Sequence, residues 1–125
     1  EESLRWVSPV RHFVRTAVED YVLDGQLIPK NESVALWYPS GNRDENVFTE
    51  SQKFNISRSP NKHVSFGHGA HLCLGQHLAR MEIRSLFKEL LARADAIRLT
   101  DQPRYTHTAF VGGLKSLPIK LSKTI

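Results

Sequence analysis

The sequence is short of several things, and each shortage narrows what the chain can be. One of its 125 residues is cysteine and one is methionine. The lone cysteine, Cys73, has no partner for an internal disulfide and fits a reducing compartment, so a cytoplasmic location is expected. No apolar run approaches the roughly 18 residues of a membrane span. The first residues also lack the basic and apolar regions of a secretory signal, so no membrane partner is expected. There is no internal repeat and no low-complexity tract. Nor is there a block of like charge: 17 basic and 13 acidic residues are interspersed, for a net charge of +4. An excess so mild and so spread permits an acidic partner without pointing to nucleic acid. What remains is the composition of a globular chain, 40% hydrophobic and 24% charged, of a length that suits one domain or a piece of one.

Glu1 to Trp6 reads as the end of a helix. Leu4, Trp6 and Val7 are apolar, no capping residue precedes them, and Pro9 closes the run. A chain that opens in mid-helix is predicted to be a fragment whose upstream part is missing. From Phe13 to Tyr38 the pattern is one of short strands. Asp24-Gly25 marks a hairpin, with Gln26 to Ile28 returning, and Ser33 to Tyr38 is the clearest strand. Pro39 to Ser65 has little periodicity, with Ser40-Gly41-Asn42-Arg43-Asp44 as a candidate cap of a short helix. A stretch this long without regular structure is often functional. A helix is predicted from near Leu74 to about Arg93, with Ala79, Ile83, Leu86, Phe87, Leu90, Leu91 and Ala94 on its apolar stripe. Ala96 to Leu99 is a candidate strand. Thr106 to Lys120 reads as a hairpin around Gly112-Gly113.

The chemically informative segment is Phe66-Gly67-His68-Gly69-Ala70-His71-Leu72-Cys73-Leu74-Gly75. Unpaired N–H groups at a helix start favour negative charge, so a cysteine there tends toward thiolate, the form that ligates metal or attacks electrophiles. The flanking glycines let backbone approach the sulfur or a flat ligand above it. Three readings are open on the residues alone: a structural cysteine in a glycine-rich turn; a zinc site using His68, His71, Cys73 and His77, where Cys73 and His77 would share a helix face; and an axial thiolate to haem iron.

The whole string decides among them. Phe, two residues, Gly, one residue, His, one residue, Cys, one residue, Gly resembles the haem-binding signature of the cytochrome P-450 family, and the likeness runs from Glu2 to Pro118. The bacterial soluble members that oxidise terpineol and camphor are the most similar in feel. The resemblance implies an α+β fragment of a mainly-α fold: the end of a helix, a small β-sheet, a long coil, the cysteine loop, a long helix and a C-terminal hairpin. Residues 1–125 would be the C-terminal, haem-binding portion of a single domain. The long distal helix, with its acid–alcohol pair, lies outside the sequence.

The resemblance also assigns roles. Cys73 would be the proximal ligand of haem b, with Gly67, Gly69 and Gly75 keeping its loop tight and Phe66 shielding the sulfur. Arg15 and His71 would bind haem propionates; many members carry Arg where this chain has His71. Glu2 and Arg5, joined by Arg58, would form a buried structural triad. Val10, Phe13, Val14, Phe110 and Val111 would line the substrate site. Lys62 and Arg80 are candidates to meet an acidic iron–sulfur ferredoxin, itself reduced by an NAD(P)H-dependent reductase. The implied activity is insertion of one oxygen atom from dioxygen into a small apolar substrate such as a terpenoid, with the isolated fragment inactive. The alternatives are a haem-binding or haem-sensing module without oxygenase activity, and a zinc-binding domain.

Overall fold

The computed structural model describes residues 1–123. They form two compact units. The first comprises Glu1–Ser65 with Ala109–Val111; the second comprises Phe66–Thr108 and the segment that starts at Gly112.

In the first unit, helix α1 (Glu2–Val7) ends at Ser8, which turns left-handed at φ 43° and donates its N–H to Leu4 O. Pro9 follows and cannot extend the helix. Strand β1 (His12–Thr16) pairs antiparallel with β4 (Ser33–Trp37), with His12 opposite Trp37 and Thr16 opposite Ser33. Between them β2 (Tyr21–Leu23) and β3 (Gln26–Ile28) form a hairpin whose turn residues, Asp24 and Gly25, both have positive φ, 50° and 82°. Two left-handed residues make the primed turn whose twist matches paired strands. Helix α2 (Tyr38–Gly41) follows, and Asn42 caps its C-terminal end, so the Ser40–Asp44 segment does cap a short helix. Residues 42–65 contain no helix or strand. Val111 bridges Val10, and Phe110 O accepts the Arg11 N–H at 2.8 Å.

The second unit begins with the cysteine loop, which holds a single 3-10 turn at Gly69–His71, and continues into α3 (Gln76–Arg93). The helix starts two residues later than its periodicity suggests, because Gly75 sits at its cap and Cys73 N–H is already engaged by Phe66 O at 2.9 Å. Strand β5 (Ala96–Leu99) pairs with β8 (Ile119–Ser122), and β6 (Arg104–Tyr105) pairs with β7 (Leu114–Ser116). The C-terminal hairpin is therefore shorter than the sequence pattern suggests. Pro118, which has no N–H, interrupts the ladder after Ser116, and the residues beyond it leave the hairpin to join β5. The single small sheet expected resolves into four two-stranded sheets among the described residues.

Few apolar side chains are fully buried among the described residues: Tyr38, Phe48 and Ala94. The buried polar residues are Glu2, Arg5, Ser8, Asn42, Ser51 and Ser65, all in the first unit, so polar matching rather than apolar volume organises its interior. On the α3 stripe Ala94 is buried, whereas Leu86 and Leu91 stay more than 60% exposed.

A Cβ at Gly25 would meet no atom within 4 Å, so only backbone strain opposes a side chain there. Gly25→Ala is expected to lower unfolding free energy by about 1–2 kcal/mol, and Gly25→Asn by less. Denaturant midpoints check this; equal midpoints for all three would contradict the turn.

Candidate functional site

The candidate residues fall into three separate groups, the first of which is the polar cluster of the first unit. Spacing of three on a helix brings Glu2 and Arg5 side by side. The Arg5 guanidinium is fully buried and bonds both Glu2 carboxylate oxygens at 2.7 Å. Its remaining N–H groups donate to Asn42 O at 2.7 Å, Ser51 O at 2.9 Å and Lys53 O at 3.1 Å. All five guanidinium donors are thus committed. Arg58 donates Nε–H to the same carboxylate at 3.2 Å, and its other nitrogens to Thr49 O, Glu50 O and Lys53 O. Glu2 also accepts the Asn55 N–H at 2.9 Å and an Asn61 amide N–H at 3.0 Å. Phe48 lies beneath both cations, 5.2 Å from Arg5 and 5.8 Å from Arg58. The Arg43 guanidinium covers Trp6 at 4.9 Å and donates to Trp6 O.

This environment holds the Glu2 carboxyl well below its ordinary value of 4.5, at about 2. The Arg5 hydrogen bonds are the main cause, with the Asn55 N–H and Arg58 adding to them against the opposing effect of burial.

One member of the cluster has no sequence signal. Asn42, fully buried, donates its amide to Ser8 Oγ at 2.8 Å and Ser65 Oγ at 2.9 Å, and accepts the Val64 N–H at 2.7 Å. Nothing local marks it, because its partners lie more than twenty residues away in both directions. Nearby, His63 Nδ1 accepts the Ser65 N–H, so Nε2 carries the proton donated to the Glu1 carboxylate at 3.0 Å.

The second part is the cysteine loop. Gly67 and Gly69 are left-handed, at φ 76° and 68°, a conformation other residues adopt only with strain. Gly67 is buried, and a Cβ at Gly75 would stand 4.0 Å from Cys73 Sγ. Cys73 is exposed, as is His71 in the 3-10 turn. The Phe66 ring lies under the Arg80 guanidinium at 4.6 Å, and Arg80 also bonds Gln76 Oε1 at 2.8 Å. Arg80 is thus drawn onto its own unit, whereas Lys62 is exposed. The zinc reading fails on geometry: among the described residues no three His, Cys, Asp or Glu side chains converge to hold a metal ion. Cys73 lies before α3 rather than in it, so it shares no helix face with His77.

The third part is the β1 region with residues 109–111. Phe13 and Phe110 meet edge to face at 5.5 Å, and Val10 bridges Val111. Phe13, Val14, Phe110 and Val111 are each 42–51% exposed. Val14 alternates to the face opposite Phe13 and Arg15. Arg15 Nη1 bonds its neighbour's carbonyl, Val14 O, at 3.0 Å.

The second unit thus presents one exposed thiol in a glycine-turned loop, two residues ahead of a long helix. The sequence profile of the Cytochrome P450 family matches residues 1–122, and the chain belongs to that family. It is 47% identical over 123 residues to Cytochrome P450-terp of Pseudomonas sp, covering 98% of this chain and 29% of that protein. It is 43% identical over 120 residues to Linalool 8-monooxygenase of Pseudomonas putida, covering 96% of this chain and 30% of that protein. Among solved structures, CYP108D1 from Novosphingobium aromaticivorans superposes with a TM-score of 0.91 at 45% identity, over 98% of this chain and 30% of that one. The chain therefore spans about a third or less of these relatives. No helix among the described residues is long and apolar enough to cross a membrane.

Two outcomes are expected of the cluster. A lysine ammonium has three donors and cannot reproduce five bonds. Arg5→Lys should destabilise the fold by about 3–5 kcal/mol in chemical denaturation, the usual cost of breaking a buried pair. Glu2 has a folded value below its unfolded one, so its contribution is complete above about pH 4.5 and is lost as pH falls toward 2. That contribution is roughly 3 kcal/mol at neutral pH. Urea midpoints should fall across this window, and less so in Glu2→Gln; identical pH profiles would remove Glu2 as the cause.

Proposed function

We propose that this chain is the haem-binding C-terminal part of a monooxygenase that hydroxylates a small apolar substrate. The observation that carries the reading is the Cys73 loop: one exposed thiol, framed by left-handed glycines, within a P450-family chain. The donor set fits haem. A single soft thiolate suits iron in a porphyrin, and a flat ligand needs backbone free of side chains near the sulfur. When bound, thiolate-ligated haem supplies dioxygen activation: one oxygen atom enters a C–H bond and the other leaves as water, with two electrons and two protons consumed.

The chain's own residues have the following parts in this proposal. Cys73 is the iron ligand. Phe66 backs the sulfur side of the loop, and Gly67, Gly69 and Gly75 keep it narrow. Arg15, half-buried, and His71, exposed, are propionate ligands; a guanidinium fork suits a carboxylate. Glu2, Arg5 and Arg58 order the irregular segment that leads to the loop. Phe13 and Phe110, with Val10, Val14 and Val111, offer apolar contact to substrate, which supports a substrate held by shape. The terpenoid assignment takes its support from the similarity to Linalool 8-monooxygenase. Electrons come from an iron–sulfur ferredoxin and its NAD(P)H reductase in the cytoplasm, with exposed Lys62 the stronger docking candidate, since Arg80 is engaged by Phe66 and Gln76. The exposed α3 stripe fits a longer chain that covers it.

Reduced, carbon-monoxide-bound full-length protein should have the strongly red-shifted Soret band of thiolate ligation. Cys73→Ser should abolish the shift while leaving far-ultraviolet dichroism unchanged. Persistence of the shifted band in that variant would remove Cys73 as ligand, and an ordinary Soret position in the parent would assign imidazole instead.

A further inference from the structure

Asn42 is an amide with no freedom of substitution. Ser8 Oγ spends its only proton on Arg5 O at 2.9 Å, and Ser65 Oγ spends its own on Leu4 O at 2.7 Å. Each hydroxyl can then only accept from its other neighbour, and that neighbour is the Asn42 Nδ2 group, which has two protons to give. Oδ1 faces the Val64 N–H. The donor and acceptor ends of the amide are therefore fixed by the network. A carboxylate of the same shape would set an oxygen against two hydroxyl oxygens that have no proton left.

The residues Asn42 grips have a particular place in the chain. Val64 and Ser65 lead directly by peptide bonds into Phe66, and Phe66 O accepts the Cys73 N–H at 2.9 Å, closing the loop that carries the thiol. The third partner, Ser8, belongs to the end of α1 instead.

We propose that Asn42 is a positioning residue for Cys73, acting through Val64 and Ser65 to hold the stem of the thiol loop in the geometry that iron ligation needs. The proposal rests on the haem-thiolate reading above. It assigns Asn42 a task distinct from that of Arg5: Arg5 orders the irregular segment, whereas Asn42 fixes the stem by which that segment passes into the loop.

The test uses full-length protein and its reduced, carbon-monoxide-bound spectrum, read as the ratio of ordinary to red-shifted Soret absorbance at equal helical dichroism. Asn42→Asp should raise that ratio about tenfold, the effect of leaving a buried polar group unmatched. Ser65→Ala, which removes the Asn42 contact at the stem together with the bond to Leu4 O, should raise it in the same direction. Ser8→Ala, which removes the Asn42 contact at the end of α1 together with the bond to Arg5 O but touches nothing in the stem, should leave it near the parent value. Should Asn42→Asp fail to fold, the Ser65→Ala and Ser8→Ala pair still decides. A parent-like ratio in Ser65→Ala, or an equal rise in both serine variants, would overturn the positioning role and leave the haem-thiolate reading intact. A parent protein without the red-shifted band would overturn both.

Discussion

The first unit depends on one guanidinium. Arg5 is buried with every donor used, and three of its acceptors are backbone carbonyls of Asn42, Ser51 and Lys53. Those carbonyls belong to a stretch with no helix and no strand, so no ladder exists to satisfy them. Buried backbone oxygens must be paired, and a side chain with five fixed donors can pair several at once. Arg58 donates likewise to the Thr49, Glu50 and Lys53 carbonyls at the exposed side of the segment. Glu2 makes both cations affordable in the interior, since an isolated buried charge would be far more costly than a matched one. An irregular segment is thereby ordered by side-chain-to-backbone bonds in place of secondary structure.

The thiol loop is ordered by a different means. Its turns are set by glycines that accept left-handed backbone, and the Cys73 N–H to Phe66 O bond draws its two sides together. The sulfur is exposed, and its bulky neighbours Leu72 and Leu74 are themselves turned to the surface, 47% and 99% exposed. Cys73 is followed by two residues before α3 begins, which keeps the helix N-terminus close in sequence without committing the cysteine to the helix. Among the described residues no third His, Cys, Asp or Glu joins Cys73 and His77 to complete a metal site.

What could be read from the sequence divides by range. Asp24-Gly25 specifies its hairpin within two residues, Pro9 stops α1 two residues after its end, and the Glu2–Arg5 spacing joins the two on one face; each is a local rule. The strands at Ser33–Trp37 and Ala96–Leu99 were legible as alternation or short apolar runs. Their partners were not. That β5 pairs with β8 follows from strand pairing over more than twenty residues, on which local pattern is silent. The buried contacts of Asn42 leave no local pattern, because its three side-chain partners are distant. Nor could periodicity in α3 disclose how much of its apolar stripe stays exposed.

A ligand site demands placement to within a fraction of an ångström, and the kind of interior beneath it decides whether that is possible. Apolar contacts are non-directional, and a loose apolar core tolerates several arrangements of similar energy. Hydrogen-bond matching tolerates few, because each donor must find an acceptor and each hydroxyl has one proton to give. In this chain the buried groups of the first unit form such a matched set: Arg5 with five acceptors, Glu2 with donors from Arg5, Arg58, Asn55 and Asn61, and Asn42 with two acceptors and one donor. Shifting the 42–65 segment by one residue would unpair several of these at once, each at about 1–3 kcal/mol. The cluster thus gives the segment leading to Phe66 a single register, which the two buried apolar side chains described in this unit, Tyr38 and Phe48, could not supply.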